Sequence, residues 1–123
     1  MACKPILIVE DNLDLRSGLQ NFFEGEGYPV FLAAHGQEAL NFLETILTPN
    51  LGLILVDFRM PIMNGATFLL ELERIHPKIF ADTAIFIMSA GTEMNHPTLK
   101  AIGFLEKPFD LDELSRIAAQ YCR

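Results

Sequence analysis

The chain has 123 residues, half of them hydrophobic and a fifth charged, so it is long enough for one domain with its own core and too apolar to be disordered. Sixteen acidic against nine basic residues give a net charge of −7, which argues against direct binding to nucleic acid because a phosphate backbone attracts a basic surface. The sequence has no apolar run of the ~20 residues that a membrane span needs and no signal-peptide pattern, and Cys3 and Cys122 form no disulfide or metal motif, so we expect a cytoplasmic protein.

Short apolar runs alternate with amphipathic stretches along the chain. The runs are Ile6–Val9, Val30–Ala33, Leu53–Val56, Ala84–Met88 and Ile102–Leu105. The stretches between and after them carry apolar residues at helical spacing: Leu15, Leu19, Phe22 and Phe23; Leu40, Leu43, Ile46 and Leu47; Phe68, Leu69, Leu72 and Ile75; Leu114, Ile117, Ala118 and Tyr121. Strand followed by helix, repeated, predicts a doubly wound α/β fold with a parallel sheet.

Two local signals refine this prediction. Pro29 directly precedes the second run, and because proline cannot donate a ladder hydrogen bond, we expect the second strand at an edge of the sheet. An edge position for strand 2 suits a flavodoxin-like five-stranded parallel sheet of order 2-1-3-4-5. Asp110, with Glu113 three residues later, is a candidate N-cap for the last helix.

The connection between the fourth and fifth runs is irregular. Gly91, Asn95 and Pro97 all disfavour a helix, and only Pro97–Ala101 could form one, of about one turn. We therefore expect a short or distorted fourth helix. Because the sequence contains no linker, repeat or low-complexity tract, we expect residues 1–123 to form a single domain.

Polar residues follow four of the five apolar runs. Glu10 and Asp11 follow the first, Asp57 the third, Ser89 the fourth, and Lys107 comes shortly after the fifth. In an open parallel sheet, ligands bind beyond the carboxyl ends of the strands, near the point where the strand order reverses. Strands 1 and 3 are neighbours at that point in the order 2-1-3-4-5, so these side chains are expected to converge on one crevice.

Three crowded carboxylates indicate a particular chemistry. Their mutual repulsion raises their pKa values or moves them apart unless a cation lies among them, and carboxylate oxygens suit a hard ion such as Mg²⁺. A carboxylate is also a competent nucleophile for phosphoryl transfer, giving an aspartyl phosphate. A metal ion, a hydroxyl and an ammonium can each bind one of the oxygens on which charge is spread during transfer. The set therefore predicts an aspartate that accepts a phosphoryl group.

These residues also resemble a known family, the receiver domain of two-component response regulators, particularly chemotaxis-type single-domain regulators. The matching motifs are Ile6–Asn12 (ILIVEDN), Leu55–Gly65 (LVDFRMPIMNG), Met88–Ala90 (MSA) and Gly103–Phe109 (GFLEKPF). The likeness covers essentially the whole chain. It implies a phosphorylation switch that acts on itself, by phosphotransfer and autodephosphorylation, rather than an enzyme with an external substrate.

The resemblance implies a role for each matching residue. Asp57 is the phosphoacceptor, and Glu10, Asp11, Asp57 and the backbone carbonyl of Arg59 bind Mg²⁺. The phosphoryl donor is a phosphohistidine on a sensor histidine kinase or a histidine phosphotransfer protein.

The implied response to phosphate involves three further residues. Ser89 hydrogen-bonds the phosphoryl group and Lys107 pairs with it, while Ser89 and the aromatic Phe104 form the conformational switch. Pro108, which comes directly after Lys107, follows a cis peptide bond in the family. The altered surface then docks on a downstream target protein, with no direct contact to nucleic acid or membrane.

Other interpretations are compatible with parts of this pattern. A receiver fragment of a larger regulator would look the same in sequence. A haloacid dehalogenase-type aspartyl-phosphate phosphatase also uses a nucleophilic Asp with Mg²⁺, but it needs a second acid two residues on, where this chain has Arg59. A binding module that has lost the phosphate switch is a third possibility, against which the complete set of polar residues argues.

Overall fold

A computed structural model describes residues 3–46, 50–90 and 103–123. Its strands are β1 (Ile6–Val9), β2 (Val30–Ala33), β3 (Leu53–Asp57), β4 (Ala84–Ser89) and β5 (Gly103–Glu106). Its helices are α1 (Leu13–Gly25), α2 (Gly36–Thr45), α3 (Gly65–Ile75), α4 (Pro77–Asp82) and α5 (Leu111–Cys122). All strand pairs are parallel, in the order β2-β1-β3-β4-β5, which confirms the predicted flavodoxin-like α/β sheet and the edge position of the strand that follows Pro29.

Helices cover the sheet on both faces and bury two separate apolar clusters. Alternate strand residues such as Leu7 and Ile54 face one cluster, with Ala39, Leu40 and Leu43 of α2 and Phe68, Leu69 and Leu72 of α3. The intervening strand residues, such as Ile8 and Leu55, face the other, with Leu19 and Phe23 of α1 and Leu114 and Ala118 of α5. Because β1, β3 and β4 are buried on both faces, their sequences are apolar at nearly every position.

Side-chain caps fix where several helices begin. The side chains of Asn12, His35, Asn64 and Asp110 each accept a backbone N–H from the first turn of the helix that follows. Asp110 is the N-cap of α5, as predicted, and its side chain accepts a hydrogen bond from the N–H of Asp112 at 2.9 Å. These bonds satisfy N–H groups that have no partner within the helix.

The structure differs from the sequence prediction in two places. It contains α4, a short helix with Pro77 in its first turn, which the apolar spacing alone does not reveal because the helix has only six residues. Helix α2 ends at Thr45, one residue before Ile46 of the predicted apolar pattern, and Leu47, the last residue of that pattern, lies outside the described residues. The predicted short helix at 97–101 lies outside the described residues. In the described part of the chain, no helix is long and apolar enough to span a membrane.

Candidate functional site

The sheet order brings the acidic residues together. β1 and β3 are adjacent, and Val9 is paired with Val56, so the residues that follow each of them lie at the same level of the sheet. Glu10 extends β1, with its N–H donating to the carbonyl of Ala33 at 3.0 Å, and Asp57 is the last residue of β3. The carboxyl end of the sheet therefore holds Glu10, Asp11 and Asp57 in one group.

The three carboxylates form a compact cluster. Oxygens from Glu10, Asp11 and Asp57 all lie within 4.8 Å of one another. Glu10 is fully buried and Asp57 nearly so, while Asp11 is exposed to solvent. A hard cation that prefers oxygen ligands and retains several waters, as Mg²⁺ does, suits this donor set, because the buried oxygens bind the ion and the open side leaves room for water. The residues therefore fit the predicted metal.

Lys107 contacts two of the three acids. Its ammonium Nζ lies 3.1 Å from Oε1 of Glu10 and 3.2 Å from Oδ1 of Asp57. The backbone N–H of Lys107 donates to the carbonyl of Ser89 at 2.8 Å, which ties the end of β5 to the end of β4. The peptide bond between Lys107 and Pro108 is cis, as the resemblance implies. The lysine thus supplies a positive charge directly beside the proposed phosphoacceptor.

A small pocket of about 90 Å³ opens beside Asp57. Its lining is formed by Asp57, Phe58, Arg59, Ser89, Ala90 and Lys107. Ser89 is buried at the end of β4, whereas Arg59 is exposed in the loop after β3. The pocket thus brings together the carboxylate, the hydroxyl and the ammonium that the sequence placed at three different strand ends.

Burial and neighbouring acids change the proton affinity of this site. Burial, followed by hydrogen bonding with Asp57, raises the pKa of Glu10 from 4.5 to about 7, although the backbone N–H of Asn12 acts in the opposite direction. Burial lowers the pKa of Lys107, but the hydrogen bond to Glu10 and the charge of Asp57 outweigh it, so this pKa lies above its ordinary value. The lysine therefore stays charged at neutral pH, while Glu10 has a pKa at which a bound cation would displace its proton.

Phe104 lies next to this site in the sheet. It is the second residue of β5, it is paired with Ile87 of β4, and its half-buried ring packs against the cluster beneath α2 and α3. Ser89, two residues after Ile87, is the last residue of β4. The two residues expected to form the switch are therefore close along the same pair of strands.

The sequence prediction assigned no role to two residues that hydrogen-bond to Glu10. The backbone N–H of Asn12 donates to Oε2 of Glu10 at 3.1 Å, and Nη1 of Arg16 donates to the backbone carbonyl of Glu10 at 2.8 Å. Asn before a helical pattern is a recognisable N-cap signal. No comparable local signal marks Arg16, because its partner is a backbone oxygen six residues earlier.

The family profile of the response regulator receiver domain matches residues 6–119. The chain belongs to this family. Receiver domains are phosphorylation switches in two-component signalling, and the acidic pocket formed by Glu10, Asp11 and Asp57 is typical of their Mg²⁺ and phosphorylation site.

Individual receiver proteins show how widely this similarity extends. The chain is 34% identical over 125 residues to the sporulation initiation phosphotransferase F of Bacillus subtilis, covering 98% of this chain and 95% of that protein. It is 36% identical to the transcriptional regulatory protein CrdR of Helicobacter pylori and to the sensor kinase CckA of Brucella abortus, covering 90% and 89% of this chain. It spans only 51% and 12% of those two longer relatives.

A solved structure supports both the fold and the site. The receiver domain of a sensor histidine kinase from Pseudomonas aeruginosa superposes with a TM-score of 0.83 at 27% identity, with 98% of both chains covered. That structure has a magnesium ion coordinated in its active site cleft. The 123-residue chain has a compatible acidic cluster, formed by Glu10, Asp11 and Asp57, at the carboxyl end of its sheet.

Proposed function

We propose that Asp57 accepts a phosphoryl group from a phosphohistidine of a histidine kinase or phosphotransfer protein, and that the chain acts as a single receiver domain over residues 1–123. The observation that carries this proposal is the contact between Lys107 and Asp57, with Nζ 3.2 Å from Oδ1. An ammonium in that position is matched to the negative charge that arrives with phosphate. The cytoplasmic location expected from the sequence remains a prediction.

The transfer itself requires little covalent chemistry from the protein. An Asp57 oxygen forms a bond to phosphorus as the bond between phosphorus and the donor imidazole nitrogen breaks, and the imidazole leaves. Glu10, Asp11, Asp57 and the backbone carbonyl of Arg59 are the proposed ligands of Mg²⁺. When bound, this ion neutralises charge on the phosphoryl oxygens. Lys107 neutralises further charge, and the hydroxyl of Ser89 donates a hydrogen bond to the phosphoryl group.

The proposed switch follows from the crowding of the pocket. Phosphorylation adds about two negative charges and three acceptor oxygens beside Ser89 and Lys107. A Ser89 that turns toward the phosphoryl group changes the space available to Phe104 on the neighbouring strand. Further burial of this half-exposed apolar ring is favourable, so phosphorylation alters the surface near β5 that a downstream target protein would bind.

The test is phosphorylation by a small phosphodonor. Incubation with acetyl phosphate and Mg²⁺, followed by intact mass measurement, should show one labile phosphoryl adduct on the wild-type protein. The adduct should be absent from Asp57→Asn and present in Asp82→Asn, which replaces an exposed aspartate at the end of α4 and is the matched control.

Two results would contradict the proposal. An adduct that persists in Asp57→Asn would place the phosphoryl group elsewhere, and a wild-type protein that forms no adduct with any small donor would indicate a binding module without the switch. Rapid multiple turnover of an organic phosphate would favour the phosphatase alternative, for which Arg59 is the wrong residue two positions after Asp57.

A further inference from the structure

Arg16 is a half-buried cation close to the acidic cluster that the proposed phosphotransfer does not use. It is the fourth residue of α1, and its Nη1 donates to the backbone carbonyl of Glu10 at 2.8 Å. Lys107, by contrast, contacts the carboxylates of Glu10 and Asp57 directly. Arg16 therefore brings a guanidinium near the acids through a bond to the main chain of Glu10.

The oxygen that Arg16 binds controls the direction of the backbone at the site. The carbonyl of Glu10 belongs to the planar peptide group that joins Glu10 to Asp11, so holding this oxygen also orients the backbone that enters Asp11. From the other side, the N–H of Asn12 donates to the Glu10 carboxylate at 3.1 Å. The start of α1 therefore holds both the carbonyl and the side chain of Glu10.

The charge of Arg16 and its hydrogen bond have opposite effects on a bound cation. A positive charge near the cluster repels a divalent ion, so removing that charge alone would strengthen metal binding. Loss of the hydrogen bond frees the Glu10–Asp11 peptide and weakens metal binding, because ligands that are not held in place must be ordered when the ion binds. The sign of the change therefore distinguishes the two roles.

We propose that Arg16 is a positioning residue for the metal site, holding the Glu10–Asp11 peptide so that both carboxylates are presented to Mg²⁺. This inference rests on the proposed function, since it assumes that the acidic cluster binds the ion. It assigns Arg16 no contact with phosphate or metal.

The experiment is an Mg²⁺ titration of the full chain followed by amide NMR, which needs no phosphodonor. Arg16→Met and Arg16→Gln, neither of which reaches the carbonyl as arginine does, should each bind Mg²⁺ at least about tenfold more weakly than the wild type. Arg16→Lys, which keeps a charged donor, should remain within about threefold. Arg74→Met is the matched control, because this exposed arginine near the end of α3 pairs with Glu71, and its Mg²⁺ affinity should equal that of the wild type.

Each outcome has a definite meaning. Wild-type affinity in a folded Arg16→Met or Arg16→Gln would overturn the positioning role, and tighter binding in either would show that only the charge of Arg16 matters. A lower melting temperature with unchanged Mg²⁺ affinity would assign Arg16 to stability alone. If the wild-type protein itself bound no Mg²⁺, the proposed function would fail, and this inference would fail with it.

Discussion

Among the residues that the structure describes, Glu10 has a carboxyl group in an unusual environment. Its side chain is fully buried, it lies in the same cluster as two other acids, and its pKa is raised from 4.5 to about 7. An acid whose pKa is higher in the folded state binds more protons there than in the unfolded state. Its contribution to stability is therefore fully present below pH 4.5 and is lost as the pH rises through about 7.

The metal-free protein should consequently become less stable across this pH range. Between pH 5 and pH 8 in the presence of a chelator, we expect ionisation of Glu10 to lower the free energy of unfolding by an amount on the order of 2 kcal/mol. Glu10→Gln should remove this contribution and be more stable than the wild type at pH 8. Urea unfolding of both proteins at the two pH values measures the effect. An equal pH dependence in the two proteins would show that Glu10 does not titrate in this range.

The junction between β3 and α3 explains how Asp57 is held at the mouth of the pocket. The N–H of Gly65 donates to the carbonyl of Phe58 at 2.8 Å, and the side chain of Asn64 caps the helix by accepting the N–H of Thr67 at 2.9 Å. Between Asp57 and this cap, Ile62 has a φ of 70°, a conformation that a β-branched residue rarely adopts. The end of the loop therefore packs directly against the end of β3, where Asp57 lies.

Gly65 is required by this close packing. A Cβ at position 65 would lie 2.7 Å from the carbonyl oxygen of Asp57 and 3.0 Å from Cα of Phe58, and backbone atoms cannot move aside as a flexible side chain can. We expect Gly65→Ala to cost about 1–3 kcal/mol in urea unfolding and to slow phosphorylation by acetyl phosphate, because Asp57 must shift. Gly18 lies in the exposed middle of α1, where an added Cβ would have no atom within 4 Å. Gly18→Ala should instead raise the free energy of unfolding by about 0.5–1 kcal/mol, because alanine favours the helix. Equal effects of the two substitutions would contradict the close approach at Gly65.

In the molecule as a whole, the two ends of the sheet differ in what they contain. The acidic cluster lies at the carboxyl ends of the strands, whereas the segments around Lys4 and Cys122 meet at the opposite, amino end. There the N–H of Lys4 donates to the carbonyl of Cys122 at 2.7 Å, and the N–H of Gly52 donates to the carbonyl of Pro5 at 3.0 Å. The bond between Lys4 and Cys122 joins residues more than a hundred positions apart, and it helps to close the domain at the end remote from the pocket.

Substitution of Gly52 tests whether the amino end of the sheet affects the acidic cluster at the carboxyl end. A Cβ there would lie 2.6 Å from the carbonyl oxygen of Tyr121 and 2.7 Å from Sγ of Cys122. Gly52→Ala should therefore lower the free energy of unfolding by about 1–3 kcal/mol, while Mg²⁺ affinity and phosphorylation of the folded protein stay at wild-type values. Gly25→Ala, at the exposed end of α1, is the control that should leave stability nearly unchanged. A loss of Mg²⁺ binding in Gly52→Ala would show that the two ends are coupled.

Most of the candidate site could be predicted from residues at the ends of apolar runs. Asp57 and Ser89 end β3 and β4, and Glu10 directly follows β1, so a parallel sheet necessarily brings them to one edge. Helix α4 and the end of α2 were less predictable, because a six-residue helix has too few turns to show a periodic pattern and because Ile46, just past α2, still packs on the core. Arg16 could not be assigned, since its partner is a main-chain oxygen.

The amino-acid sequence alone determined the α/β class and the group of polar residues at the strand ends, because these follow from local periodicity and from the geometry of parallel sheets. For the strand order, the sequence offered only the edge position that Pro29 favours, which suits the order that the structure shows. Only the tertiary structure decided that Lys107 lies within 3.2 Å of both Glu10 and Asp57, that Glu10 is fully buried, and that the segments carrying Cys3 and Cys122 meet. Distances and solvent exposure depend on how distant segments pack together, and proton affinity depends on both. No stretch of sequence contains that information by itself.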